Sequence, residues 1–233
     1  MTLTRDALEQ GFMRHMWHAA GGAGETLSDE ALAAGADAAL DAFGPGDPWV
    51  FAYGSLIWNP LFHHAERRCA TLHGYHRRFC LWSRTTRGTP QKPGLVLGLD
   101  YGGCCRGVAF RIDRSLARAE LRLLWKREML SNSYAPRWVP LKTGASEIRG
   151  LAFVVNRSNP GYAGRLSLEE VARVMNTASG MIGSSRDYLR QTVEGLRQEG
   201  LSDPLLFEIE ARVRALAADP QPAGATDLSF LTA

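Results

Sequence analysis

The sequence predicts an α+β fold, a closed or strongly curved mixed sheet with helices packed on its outside. Three observations carry this reading. Between Trp49 and Ile112, short runs rich in β-branched and aromatic residues alternate with turns that contain Gly and Pro. Helical periodicity appears at about 115–130 and dominates after Ser167. The segment GPGDP at 44–48 separates a helical start from the strands, because Pro and Gly at that density end helices.

Residues 1–20 and 28–43 read as short helices, the second Ala-rich after Ser28 with Glu30 in its first turn, and GGAG at 21–24 reads as a flexible link between them. Residues 1–47 are therefore expected to be an N-terminal helical extension and 48–233 the folded core. Within the core, WVFAYGSL, RCATLHGY, RRFCLWS, LVLGLDY and RGVAFRI read as five strands. A helix at about 115–130 leads to a strand pair, APRWVPLK and EIRGLAFVV, across the turn TGAS. Ser167 and Glu170 make a capping box for a helix over 168–179 that Gly180 ends. Two more helices are expected over 185–199 and 204–218, the last opened by Asp203 and Pro204.

A chain of 233 residues, 45% of them apolar, with 27 basic and 24 acidic side chains, suits one globular domain or a domain with an extension. That composition excludes disordered and collagenous classes. No stretch reaches the roughly 20 consecutive apolar residues of a membrane helix, and MTLTRDALEQ lacks the basic start and apolar run of a secretory signal. The expected setting is the cytoplasm. Cys69, Cys80, Cys104 and Cys105 form no CxxC pair, and the adjacent pair is poorly placed to bridge itself, so the thiols are expected to be reduced.

The charge is unevenly spread. Residues 1–48 hold Arg5 and Arg14 against eight acids, while residues 62–128 hold fourteen Arg and Lys against five acids. An anionic ligand fits such a stretch, and the same charge serves either a nucleic acid or a small carboxylate.

Two places offer chemistry. In Phe51-Ala52-Tyr53-Gly54-Ser55-Leu56-Ile57-Trp58-Asn59-Pro60 an apolar strand runs directly into Gly-Ser, a junction that exposes consecutive backbone amides able to hold a carboxylate or a developing oxyanion. The same junction also serves as an ordinary turn. On the helix at 115–130, with about 100° per residue, Ala117, Leu121, Leu124, Trp125 and Glu128 share one stripe, while Arg118, Arg122 and Lys126 fan to the other side. A carboxylate on an apolar face loses hydration, which raises its pKa toward the range useful for proton transfer. Pairing of Glu128 with an arginine near the helix end is the alternative.

Other candidates carry less. His15 and His18, and His73 and His76, have i, i+3 spacing, but the first pair lies in the extension and the second in a strand, where such residues point to opposite faces. No metal and no cofactor is expected. The cysteines lack an activating partner in sequence, and the arginine pairs at 67–68 and 77–78 read as solvated strand edges.

Four motifs in order, YGSLIWNP, RGTPQKPG at 87–94, LLWKREM at 123–129 and SSRDYL at 184–189, resemble the ChaC-like γ-glutamylcyclotransferases, whose bacterial members also carry a helical stretch before the YGSL strand. The resemblance implies a small mixed β-barrel flanked by helices. It implies cleavage of glutathione into 5-oxoproline and cysteinylglycine, with Glu128 as catalytic acid/base. Tyr53, Gly54, Ser55 and Leu56 would hold the γ-glutamyl group, Tyr188 would belong to the substrate pocket, and Arg87 to Gly94 would form a mobile loop near its mouth.

Alternatives remain at this point. A cyclotransferase for other γ-glutamyl amines or dipeptides keeps the same chemistry with a different leaving group. A basic module that binds RNA or a protein partner uses the 62–128 stretch and its aromatic residues instead. With glutathione as substrate, no nucleic-acid, membrane or obligate protein partner is expected.

Overall fold

Two strands of 18 residues frame a closed barrel, and helices cover its outside. The computed structural model describes residues 3–21 and 26–218. The elements run α1 (Arg5–Glu9), α2 (Phe12–Ala19), α3 (Asp29–Phe43), β1 (Trp49–Ala52), α4 (Ser55–Trp58), β2 (Glu66–Ser83), β3 (Gly94–Arg111), α5 (Arg114–Glu128), β4 (Tyr134–Thr143), β5 (Ser146–Val155), α6 (Leu168–Thr177), β6 (Ser179–Gly180), β7 (Gly183–Ser184), α7 (Ser185–Gln198) and α8 (Pro204–Ala218). The barrel order is β1-β3-β2-β4-β5, closed where β1 meets β5 in parallel at Trp49 and Gly150. The α+β class expected from the sequence is the class observed.

The strands differ from the sequence expectation in their continuity. RCATLHGY and RRFCLWS join into β2, and LVLGLDY and RGVAFRI join into β3. Gly74 at φ +84° faces the region of Gly102 and Gly103, at φ +100° and +71°. Both strands therefore bend together and keep their ladder, with register shifts near Tyr75 and Leu81. At the other hairpin, Thr143 pairs with Ser146 around Gly144 and Ala145, as expected for TGAS.

The helices follow their sequence signals closely. Ser167 accepts from the Glu170 amide at 3.2 Å and Glu170 accepts from the Ser167 amide at 2.7 Å, completing the capping box. That helix stops at Thr177 rather than at 179, because Ala178 turns extended and Gly180 enters the short β6–β7 ladder. Asp203 receives the Leu206 amide at 3.1 Å and opens α8. Residues 1–20 hold two helices broken at Gly11. Of the expected link at 21–24, only Gly21 lies within the described residues.

The amphipathic reading of α5 explains how the extension attaches. Ala117, Leu121, Leu124 and Trp125 are buried, and Trp125 meets Phe153 edge-on at 5.4 Å inside the barrel face. Leu32, Ala36 and Leu40 of α3 belong to the same hydrophobic core as the barrel. The charge asymmetry is used internally. Asp37 pairs with Arg118 and Arg122 at 2.9 and 2.5 Å, Asp41 with Arg118 at 3.2 Å, and Asp47 with Arg111 at 2.5 Å.

The second arginine pair needs a correction. Arg77 and Arg78 are not solvated strand edges: Arg77 is 3% exposed, 2.9 Å from Asp203, and donates to the Tyr53 carbonyl at 2.8 Å. Arg78 reaches the buried Asp100 and the Gly164 carbonyl. Their part of β2 lies beneath neighbouring segments, so both guanidinia find partners there instead of water. Among the described residues, no helix is long and apolar enough to cross a membrane.

Candidate active site

A strand, a one-turn helix, the end of α5 and the start of α7 meet around one cavity of about 840 Å³. β1 delivers the first wall. It ends at Ala52, and Ser55–Trp58 turn helical instead of extending the strand. The first amides of any helix lack a carbonyl partner within it. In α4 the Ile57 amide is taken by Gly54 O at 2.9 Å, which leaves the amides of Ser55 and Leu56 at the turn without an intrahelical acceptor.

Ser55, Glu128 and Tyr188 line the cavity, while Tyr53, Gly54 and Leu56 do not. The Tyr53 hydroxyl points into the barrel and donates to Phe153 O at 2.8 Å. Leu56 is a core residue. A Cβ on Gly54 would lie 3.4 Å from the Tyr188 hydroxyl, an ordinary contact distance, so Gly54 sits against Tyr188 behind the cavity wall.

Glu128 closes α5 with its side chain 14% exposed. Burial raises its carboxyl above the usual carboxylate range, and the opposing effect of Arg127 does not cancel it. Arg127 is the residue that sequence reasoning passed over. Its Nε lies 3.0 Å from Glu128 Oε1, its Nη2 donates to Ser55 Oγ at 2.9 Å, and its Nη1 donates to Asn59 O at 2.6 Å. One planar guanidinium thus fixes the carboxylate relative to the Gly-Ser turn. The signal was present, since Arg127 precedes Glu128 in sequence, but helix geometry alone sends it away from the apolar stripe.

Tyr188 stands on α7, which starts where Ser184 accepts the Asp187 amide at 3.0 Å. Its hydroxyl accepts the Leu97 amide at 3.4 Å, and burial pushes its pKa up to about 12, so it stays protonated and able to donate. Tyr134, also on the cavity wall, donates to Leu97 O at 2.9 Å.

Arg87 is the second residue missed as an individual. It is 6% exposed, lies 5.3 Å from the centre of the Tyr188 ring, and its guanidinium reaches only the carbonyls of Ile182 and Ser184, at 3.3 and 3.4 Å. Burial lowers its pKa from the ordinary arginine value. Among the described residues no carboxylate bonds this buried cation, which leaves it able to meet an anionic group in the cavity. The loop that begins with Arg87 is pinned at both ends: a Cβ on Gly88 would lie 2.0 Å from Gly94 N, and Ser185 Oγ donates to Arg87 O at 2.9 Å. Its tip, residues 89–92, is exposed.

The remaining candidates lie elsewhere. His15 and His18 are exposed on α2. Among the described residues, no group of three or more His, Cys, Asp or Glu side chains is placed to hold a metal ion. All four cysteines are free; burial pushes Cys80 up to about 12 and Cys105 up to about 11.

The profile of the ChaC-like protein family matches residues 48–216. A glutathione-specific γ-glutamylcyclotransferase of Escherichia coli K12 is 36% identical over 77% of this chain and 78% of its own length. A glutathione-specific γ-glutamylcyclotransferase 1 of Danio rerio is 33% identical over 74% of this chain and 91% of its own. In fold, the crystal structure of a yeast γ-glutamyl cyclotransferase specific to glutathione superposes with TM-score 0.68 at 22% identity, covering 73% of this chain and 97% of that one.

Proposed function

The chain belongs to the ChaC-like protein family, and from that premise we propose that it cleaves glutathione into 5-oxoproline and cysteinylglycine by cyclisation of the γ-glutamyl group. The observation that carries the reading is Glu128, a carboxylate of raised pKa on the cavity wall, tied through Arg127 to the Ser55 hydroxyl at the Gly-Ser turn. We take residues 48–233 as the catalytic domain.

The chemistry needs little machinery. The substrate's α-amine and γ-carbonyl sit on one short chain, so attack closes a five-membered ring with high effective molarity. Glu128 takes a proton from the α-ammonium. The amine nitrogen bonds to the γ-carbon, and the developing oxyanion lies against the amides of Ser55 and Leu56. Glu128 then returns the proton to the departing amide nitrogen as the old C–N bond breaks, and the second proton on the ring nitrogen passes to the released amine, leaving a lactam N–H and an ammonium. Arg87 pairs with the α-carboxylate of the γ-glutamyl residue, and the protonated Tyr188 hydroxyl donates to it or to the carbonyl beside it. Tyr53 and Gly54 support the turn from behind: the Tyr53 carbonyl is held by Arg77, and Gly54 packs beside the Tyr188 hydroxyl.

Within the basic stretch, Arg118 and Arg122 are engaged by Asp37 and Arg111 by Asp47, both acids of the extension. Incubation of the purified protein with glutathione followed by mass analysis tests the proposal. Equal amounts of 5-oxoproline and cysteinylglycine are expected. Turnover of other γ-glutamyl amines in preference to glutathione would replace the substrate but keep the reaction.

A further inference from the structure

We propose that the helical extension completes the substrate cavity and selects the leaving group, with Leu3, Met13 and Trp17 forming an apolar wall against its cysteinyl portion. This rests on the cyclotransferase reading. The family profile begins at residue 48, yet these three residues from the extension line the same cavity as Glu128 and Tyr188.

The wall is built into the fold. Met13 and Trp17 stand at i, i+4 on α2 and so face the same way, while Met16, fully buried, anchors the helix. Arg14 ties α2 to the following segment through Thr26, Leu27 O and Asp29 at 2.9, 2.7 and 2.7 Å. The Leu27 amide in turn donates to Leu130 O at 3.0 Å, two residues beyond Glu128. Leu3 O accepts from Asn59 Nδ2 at 3.1 Å, and Asn59 O accepts from Arg127. Asn59 thus links the Leu3 end of the wall to Arg127, the residue paired with Glu128.

Its chemistry complements the rest of the cavity. The cationic lining residues, Arg84, Arg87 and Arg127, all come from the core, and among the described residues the extension adds no charged side chain to the lining. The γ-glutamyl end belongs with Arg87 and the Gly-Ser turn, where charge is met by charge. What remains is the portion beyond the scissile amide. Its first residue, cysteine, is the uncharged stretch between the two carboxylate-bearing ends of glutathione, and an apolar wall of indole and thioether suits its methylene and thiol.

The test compares glutathione with γ-glutamylglycine, which lacks the cysteinyl residue, in the full-length parent, Trp17→Ala, Trp17→Phe and the exposed control His18→Ala. Trp17→Ala is expected to raise KM for glutathione about tenfold, with kcat within about threefold, and to leave γ-glutamylglycine unchanged, read as Ki where its turnover is too slow. Trp17→Phe and His18→Ala should retain the parental preference. If Trp17→Ala does not fold, Met13→Ala on the same face gives the same comparison. Equal loss on both substrates, or no loss on either, overturns the inference alone. Failure of the parent to make 5-oxoproline overturns the cyclotransferase reading and this inference with it.

Discussion

Arg127 Nε lies 3.0 Å from Glu128 Oε1, yet Glu128 still titrates above the usual carboxylate range. An adjacent guanidinium stabilises the ionised carboxylate, whereas burial penalises it, and here burial wins. A carboxylate balanced this way accepts a proton readily and gives it back, as a group that acts as base and then acid in one cycle must.

Glu128→Gln keeps the side-chain volume and removes the proton acceptor. Turnover of glutathione should fall at least about a thousandfold while circular dichroism stays unchanged. Stability should not fall. Because folding raises the Glu128 pKa, ionisation of this group disfavours the fold as pH rises from the unfolded value through the folded one. The glutamine variant is thus expected to melt at or above the parent at neutral pH, with that contribution vanishing in acid. Activity within tenfold of the parent would remove Glu128 from the mechanism.

The pH profile of kcat/KM follows from the same balance. Glu128 must be ionised to take the ammonium proton, so activity should fail on the acid side at a pH above the ordinary glutamate value. Arg127→Met removes the one cation that holds this pKa down, and the acid limb should move to higher pH. An unmoved limb in that variant would separate Arg127 from the electrostatics of the site.

Arg87 offers a different readout. Arg87→Met should raise KM for glutathione by about tenfold to a hundredfold, the loss of a charge-assisted bond in a dry site. Arg87→Lys should recover only part, since an ammonium keeps the charge beside the Tyr188 ring but not the guanidinium's fixed fork of donors. A normal KM in Arg87→Met would place the substrate carboxylate elsewhere.

The attachment of the extension has its own test at Glu120. This carboxylate is 2% exposed and is met by Arg5 at 2.7 and 3.1 Å and by His63 Nδ1 at 2.8 Å. Burial works against its charge, and the hydrogen bonds from Arg5 and His63 overcome that, leaving its pKa below the usual value. Such a depressed pKa supplies stability that is present above the unfolded value and lost as pH falls through the folded one. Arg5→Met should cost about 1 to 2 kcal/mol in chemical denaturation, because it leaves the buried carboxylate with His63 alone, and Glu120→Gln in the Arg5→Met background should recover part of it. Additive losses from the two changes would show that the pair does not interact.

What the sequence revealed and what it hid follow a physical division. Glu128 was legible because helical periodicity puts a charged residue on an apolar stripe, and the capping box at Ser167 because its partners are three residues apart. Arg127, Arg87 and Arg77 were not, because each acts through partners brought close only by the closed barrel: Ser55 for Arg127, Tyr188 for Arg87, Asp203 and Tyr53 O for Arg77. The joining of strand pairs into β2 and β3 was hidden for a related reason. A glycine that ends one strand and a glycine that bends a continuous one look alike until the facing strand bends with it. The extension's acids gave the charge asymmetry away but not where Asp37 and Asp41 end up, on the arginines of α5.

The central claim is cyclisation by the substrate's own amine, and turnover in water carrying labelled oxygen tests it most directly. Both cyclisation and hydrolysis release cysteinylglycine, so the other product decides. We predict unlabelled 5-oxoproline, no free glutamate, and no turnover of N-acetylglutathione, whose amine is blocked. Free glutamate bearing one solvent oxygen would contradict the account and recast Glu128 as a base that activates water.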